Sequence, residues 1–489
     1  MYLPTRFSKD FTTLRVSFSQ VFLMAAILIN VAVAVAIPGP ITSLLSTVFY
    51  IILVFRLFQK LPIAFLLFSP ITFLHFSVLI SLNAIEAGAL MKEMGRIGFP
   101  SAASAIYVVV AGVFLKAAST VYAATEKNSR ASAIRLDAER YQFLTQWAAM
   151  LLGCLAIVFL VLKGLISGFP VLDHIDRFEY RRVSGDKITL YFLNLKLVLS
   201  SFIGLSAACC SSSFNKLRHH VVFIGYIGVC FLFGDKFFNI ISACLYYLAV
   251  QLVYRPEVIK EVAGRFFVSA LLVIMLATAM TVYIYSGNGT LSAETTMKLL
   301  FDRFAEQGQL WFVAANNAPE FFKFETQSVI ENFNSIFYIP AQDYVFDHHL
   351  GAFHFIFKYA PFKMLFSFIG NQGFVAPIMS FEAYGLELFG FVGMFFMVAI
   401  TGMILGLTAR AIMNAIYSGN PFNILLPTYF LVQVYYMIVS GNISTLVGLG
   451  AFKAYTALFV FQVLISAWIK NTQPVVSRKA TPSRADVLV

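Results

Sequence analysis

Apolar residues run along this chain in long unbroken blocks rather than in alternation. Blocks of about eighteen or more recur between residues 18 and 469, each long enough to cross a hydrocarbon core about 30 Å thick at 1.5 Å per residue. The pattern predicts twelve helical spans, at 18–37, 41–59, 62–82, 102–124, 144–167, 188–209, 221–234, 237–254, 266–286, 386–409, 422–440 and 445–469. The seventh and eighth are a short pair hinged at Gly234-Asp235-Lys236, which a single re-entrant hairpin would also explain. The two-residue period of a membrane barrel is missing, which leaves helices to satisfy the backbone in lipid.

Composition agrees. Hydrophobic residues make up 59% of the chain and charged residues 12%, whereas soluble proteins carry roughly a quarter. The expected fold is an all-α, polytopic integral membrane protein with interfacial helices in a large periplasmic loop. Residues 1–286 hold nine spans, 287–385 form the large outer loop, 386–470 hold three more spans, and 471–489 are a polar, disordered cytoplasmic tail. The N-terminal run, preceded by Arg6, Lys9 and Arg15, is long enough to be a retained helix rather than a cleaved signal.

The net charge of +11 suggests no nucleic-acid partner, because lysine and arginine are spread over short loops between apolar runs. With the N-terminus in the cytoplasm, nineteen fall on short inner segments and twelve on outer ones, five of those twelve on the long loop. Long loops count little for orientation, so both termini are expected inside. The five cysteines lie in or beside apolar runs and form no CxxC, so neither a disulfide framework nor a zinc site is expected.

Two outer loops depart from the pattern. Loop 168–187 gathers Arg177, Arg181, Arg182 and Lys187 on the side that normally avoids cations, which points to an anionic ligand. Loop 287–385 alternates charge with aromatics, as in Phe321-Phe322-Lys323-Phe324 and Phe353-His354-Phe355-Ile356-Phe357-Lys358, and short helices lying at the interface are expected there. Ionisable groups within or near spans are few, the main ones being Lys116, Lys163, Lys196, Lys453 and His75. A pump or proton relay would place carboxylates near the bilayer middle, and the sequence offers almost none.

Carboxylates, histidines and arginines collect on the outer face instead. No nucleotide pool exists there, so group transfer needs a donor activated before it crossed, such as a lipid-linked diphosphate sugar. Its departure leaves charge on phosphate oxygens, which arginine stabilises, and the accepting hydroxyl must give its proton to a carboxylate or histidine. The stretch from Asp302 to Trp311 is the most suggestive. On a helix Arg303, Glu306, Gln307 and Leu310 would share a face. A plain interfacial helix with an Arg–Glu pair and a Trp anchor fits the same residues. Nucleotide loops, hydrolase elbows, zinc helices and Asp-x-Asp pairs are all missing from the sequence, and His348, His349 and His354 lack the spacing of a metal site. Neither metal nor cofactor is expected.

The layout of spans, the cation-bearing loop after the fifth and the large loop after the ninth resemble the Wzy-type oligosaccharide repeat-unit polymerases that build bacterial O-antigen. So does the run Arg303-x-x-x-Gln307-Gly308-Gln309-x-Trp311. The stretch 381–393, with Glu382, Glu387 and a Phe-Gly pair, is similar to the family's approach to a late helix. The resemblance implies a metal-independent glycosyltransferase of the inner membrane, active on its periplasmic face. It would move a glycan from undecaprenyl diphosphate to the non-reducing end of a lipid-linked repeat unit, with a chain-length regulator as a candidate partner. On this basis Arg303 and one of Arg177 or Arg181 grip diphosphates, and Glu306, His348, His349 or Glu382 is the base. Gln307 and Gln309 position hydroxyls, and Trp311 stacks on a sugar. An O-antigen ligase and a lipid-linked oligosaccharide flippase are the alternatives.

Overall fold

The computed structural model describes residues 18–129, 138–173, 180, 183, 186–234, 237–255, 305–317, 320–337, 350–363, 365–366, 381–418 and 420–471. Among these, every predicted apolar block is helical. The helices are α1 (Phe18–Ala36), α2 (Pro40–Lys60), α3 (Pro62–Glu86), α4 (Ala103–Ser129), α5 (Ala138–Ser167), α6 (Lys187–Asn194), α7 (Lys196–Cys209), α8 (Ser213–Leu232) and α9 (Phe237–Tyr254). Then follow α10 (Gln309–Asn317), α11 (Thr326–Phe337), α12 (Gly351–Tyr359), α13 (Phe381–Tyr417), α14 (Leu425–Ser440), α15 (Ser444–Val447) and α16 (Leu449–Asn471). A two-residue antiparallel ribbon, β1 (Leu90–Met91) with β2 (Arg96–Ile97), links α3 to α4.

Seven helical segments among the described residues are long and apolar enough to span a membrane, or eight if α6 and α7, bent by 57° at Leu195, are one span. This is fewer than the twelve expected, for physical reasons. Helices α1 and α9 have apolar stretches shorter than a full span, and α8 opens with the polar run Ser213-Phe-Asn-Lys-Leu-Arg-His-His220. The expected span 266–286 lies outside the described residues.

Local chemistry sets the helix starts. Pro40 and Pro62 occupy the first turns of α2 and α3, where their missing N–H costs nothing. The carboxylate of Glu86, at the end of α3, accepts from the Ser104 N–H at 3.0 Å and from the hydroxyls of Ser101 (3.0 Å) and Ser104 (2.7 Å), so it caps α4. Asp186 caps α6 by accepting from the Thr189 N–H at 2.7 Å.

Helices α3, α4 and α13 form the centre. Two-thirds of the α3 span is buried, against 11% of the span ending at Trp468 in α16. The motif Gly402-x-x-x-Gly406 brings α13 onto α4: a Cβ at either glycine would lie 2.4 Å from a backbone oxygen, of Phe114 or of Ala118.

Helix α13 is broken. Gly390, at φ 66° and ψ −171°, separates an arm 381–389 from an arm 391–417. The arms fold back on each other, since a Cβ on Gly385 would touch the Met397 side chain at 2.4 Å. The first arm thus descends from Gly390 into the bundle rather than extending away from it. Segment 320–325 lies along the break and satisfies the freed backbone groups. Phe391 N–H donates to Glu320 O and Val392 N–H to Phe321 O, both at 3.3 Å, while Lys323 and Glu325 N–H donate to Phe389 O (3.4 Å) and Leu388 O (3.0 Å).

Segments 305–317, 320–337 and 350–363 gather at one end of the bundle, with the β-ribbon, the start of α4 and the end of α14. Gly308 N–H donates to Ser81 Oγ at 2.7 Å, and Gly351 packs against the Ser440 carbonyl. Helix α11 is amphipathic in an inverted sense. Ser328 is buried and Asn332 donates to the Tyr384 hydroxyl at 2.5 Å, while Ile330, Phe333 and Phe337 face outward with Phe321, Phe322 and Phe324, each phenylalanine more than 60% exposed.

Candidate functional site

The break in α13 positions two carboxylates at different depths. Glu387, three residues before Gly390, is 1% exposed and collects cations from two other segments. Lys323 Nζ, from the strand along the break, lies 3.3 Å from Glu387 Oε1, and Lys358 Nζ, from the last turn of α12, reaches the same oxygen. Tyr359 donates its hydroxyl to Oε2 at 3.1 Å, and His354 Nε2 lies 3.9 Å from Oε1. Lys323 Nζ also lies 3.9 Å from Glu325 Oε2, so two ammonium groups face two carboxylates, and of the two the Lys358 side chain is the more open, at 43% exposed. Burial and the nearby Glu387 carboxylate hold the Tyr359 phenol well above its ordinary pKa, so it remains a donor.

Arg96, in β2, lies within electrostatic reach of Tyr359, and Gly95 packs on Pro361, which brings the β-ribbon to the rim of this cluster. On the same rim Gln309 donates from Nε2 to the Glu93 carboxylate and to Glu306 O at 3.3 Å. The Phe321–Phe324 segment that carries Lys323 forms an exposed aromatic wall beside it.

The second carboxylate, Glu382, lies deeper. Its Oε1 is 3.1 Å from His75 Nε2, with both side chains buried. His75 is the fourteenth residue of the 25-residue α3, so the pair sits near the middle of a span. The sequence pattern puts Glu382 on the outer loop and almost no carboxylate at mid-span; the inward fold of arm 381–389 corrects both expectations.

The remaining sequence-predicted residues divide. Arg303, Arg177, Arg181, His348 and His349 lie outside the described residues. Residues 306–308 form a turn, not the expected helix, which starts at Gln309 because Gly308 docks on Ser81. Glu306 and Gln307 are half-buried on that turn. Gln309 is fully buried, with Oε1 unpartnered. Trp311 is 1% exposed, donates to Ala103 O at 2.9 Å and packs edge-on against Tyr107, so its ring is enclosed. The structure adds Lys323, Lys358, Tyr359, Arg96 and Glu93, which the sequence reading does not single out. The one signal in the sequence is lysine set among phenylalanines, a pattern that interfacial helices produce as well.

A family of unknown function, DUF6418, matches residues 346–455. The matched stretch contains Lys358, Glu382, Glu387 and Gly390. No curated protein matches the chain, and no solved structure does.

Proposed function

We propose that this chain is a glycan polymerase of the bacterial inner membrane, acting at its periplasmic face on a donor carried by undecaprenyl diphosphate. The observation that carries this reading is the convergence of Lys323 and Lys358 on buried Glu387, beside an exposed phenylalanine wall. The open ammonium of Lys358, with Arg96 near it, next to an apolar face suits a ligand with a phosphate head and a hydrocarbon tail. The two motifs that carry the resemblance also meet in space: Trp311 packs on Tyr107, and Tyr107 on His75, the partner of Glu382.

In the proposed reaction an acceptor sugar hydroxyl bonds to the anomeric carbon of the donor as that carbon's bond to the diphosphate oxygen breaks. The electron pair leaves on the diphosphate, which stays on its lipid, and Lys323 and Lys358 stabilise the developing charge as point charges. The hydroxyl proton passes to a carboxylate on the rim, that of Glu93, which accepts from Gln309, or that of Glu306, whose backbone carbonyl accepts from the same side chain. Arg303 and Arg177 or Arg181 are proposed to complete the anion grip, without metal.

A deletion strain complemented with Lys323→Ala/Lys358→Ala tests this, read as the ladder of surface glycan on a gel. The expected result is single repeat units capped on the lipid core, as in the uncomplemented strain; a full-length ladder from the double variant would overturn the reading. Loss of capping in the deletion strain would identify a ligase instead. A second reading, a lipid-linked oligosaccharide flippase, is favoured by one observation, the acid–imidazole pair at mid-span; repeats accumulating on the inner leaflet would select it.

A further inference from the structure

The mid-span pair has a feature that glycosyl transfer does not use. His75 Nδ1, Glu382 Oε2 and the Tyr107 hydroxyl are all buried, and none has a hydrogen-bond partner. Orphaned polar atoms are rare in folded proteins because each loses its solvation without compensation. Here three occur around one contact. The His75 ring lies 5.9 Å from Tyr107, 6.5 Å from Tyr50 and 5.0 Å from Phe114, each edge-on, and Tyr107 lies in the electric field of the Glu382 carboxylate.

The groups facing the pair are few. Helix α2 contributes Tyr50, whose hydroxyl is committed to Thr72 O at 2.7 Å. Helix α4 contributes Tyr107 and Phe114, and arm 381–389 contributes Glu382 itself. Behind Tyr107 stands Trp311, from α10. Among the described residues no lysine or arginine forms an ion pair with Glu382.

We propose that His75 and Glu382 form a proton-binding site in the middle of the helix bundle, with Tyr107 as the neighbouring hydroxyl that senses its charge. With one proton between Nε2 and Oε1, and none on the other nitrogen or oxygen, the pair carries a charge of minus one. Each half keeps one open basic atom, Nδ1 and Oε2. A second proton, drawn from bulk water, adds to one of them and leaves the pair neutral.

The negative charge of the singly protonated pair sits in a medium of low dielectric, so its cost depends on other anions nearby. Glu382 and Glu387 share one helical arm, five residues and about 7.5 Å of rise apart. An anion seated on Lys323 and Lys358 therefore favours the second proton, and the second proton favours the anion to the same degree. This linkage, unlike the proton site itself, rests on taking the outer lysines as an anion seat.

The test uses the full chain in lipid nanodiscs with Trp147 and Trp468, both exposed, replaced by Phe, so that Trp311 is the sole indole. Its emission is followed from about pH 4 to about pH 9, with infrared difference spectra recorded in parallel for the protonated carboxyl band. A single step is expected, accompanied by a carboxyl band that disappears in Glu382→Gln. The step should vanish in His75→Asn, and its midpoint should move by roughly half a pH unit or more in Tyr107→Phe. A flat profile in the parent protein, or a step that survives both Glu382→Gln and His75→Asn, would overturn the site; the parent measurement stands even if a variant does not fold. Inorganic diphosphate should raise the midpoint by roughly one pH unit. A step present but indifferent to diphosphate would keep the proton site and refute the anion seat.

Discussion

Replacing Gly390 with alanine should open the hairpin in α13. At φ 66° and ψ −171° this residue occupies backbone space open essentially to glycine alone, where a side chain costs about 1–3 kcal/mol. The added Cβ would also lie 2.8 Å from Glu320 O, 2.9 Å from Phe321 O and 3.0 Å from Lys323 N. These atoms are backbone and cannot rotate away. The strand 320–325 must retreat, weakening the bonds that Phe391 and Val392 donate to it, each worth about 1 kcal/mol. The combined destabilisation is about 3–5 kcal/mol. Reversible unfolding in mixed micelles measures it, and hydrogen exchange at 320–325 locates it. Gly385→Ala is the control, because its Cβ presses on the flexible end of Met397 and meets backbone only at an ordinary 3.7 Å, and it should cost much less. If Gly390→Ala unfolds within about 0.5 kcal/mol of the parent, the two arms of α13 do not turn back on each other at this glycine.

Removing the buried counter-charge with Glu387→Gln leaves Lys323 and Lys358 with only the more distant Glu325 between them and should destabilise the chain by roughly 3 kcal/mol, measured by the same unfolding assay; pairing that change with Lys358→Met should recover part of the loss. At Asp186 burial pushes the carboxyl pKa up, but the Thr189 amide, the Lys163 ammonium at 3.1 Å and the Thr189 hydroxyl outweigh it and hold the pKa below the ordinary value. Its cap therefore stabilises α6 above about pH 4 and is lost as pH falls through the depressed folded value, which exchange at the Thr189 amide should register as faster opening in acid and Asp186→Asn should abolish. Gly406→Val should separate α13 from α4 at a cost of about 1–3 kcal/mol or more, since its side chain would enter the Ala118 backbone.

Helices were legible in the sequence because lipid demands long apolar runs, and the blocks near 41–59, 62–82, 102–124 and 144–167 reappear almost residue for residue in α2 to α5. Depth was not. Arm 381–389 is too short to register as a span, and Gly390 stands between Gly385 and Gly393 with nothing in composition to mark it as the turn. Glu382 accordingly reads as an outer-loop residue, although it pairs with a histidine 307 positions away. The bend at Leu195 is equally silent, because α6 and α7 together are apolar enough to be read as one span despite Asn194 and Lys196 at the bend. Lys323 and Lys358 are visible in the sequence only as cations among phenylalanines; the meeting of Lys323 with Glu387 depends on segment 320–325 pairing with the broken helix, a contact spanning 64 positions.

The inverted polarity of α11 has a practical corollary for anyone handling this molecule. Its phenylalanine stripe turns away from the rest of the described residues, so hydrocarbon outside them completes its packing. Short-chain surfactants solvate such a stripe less uniformly than a bilayer leaflet does. Extraction should loosen α11 first, and with it the Asn332 contact to Tyr384 on the inward arm, so lipid belongs among the determinants of this architecture rather than its surroundings.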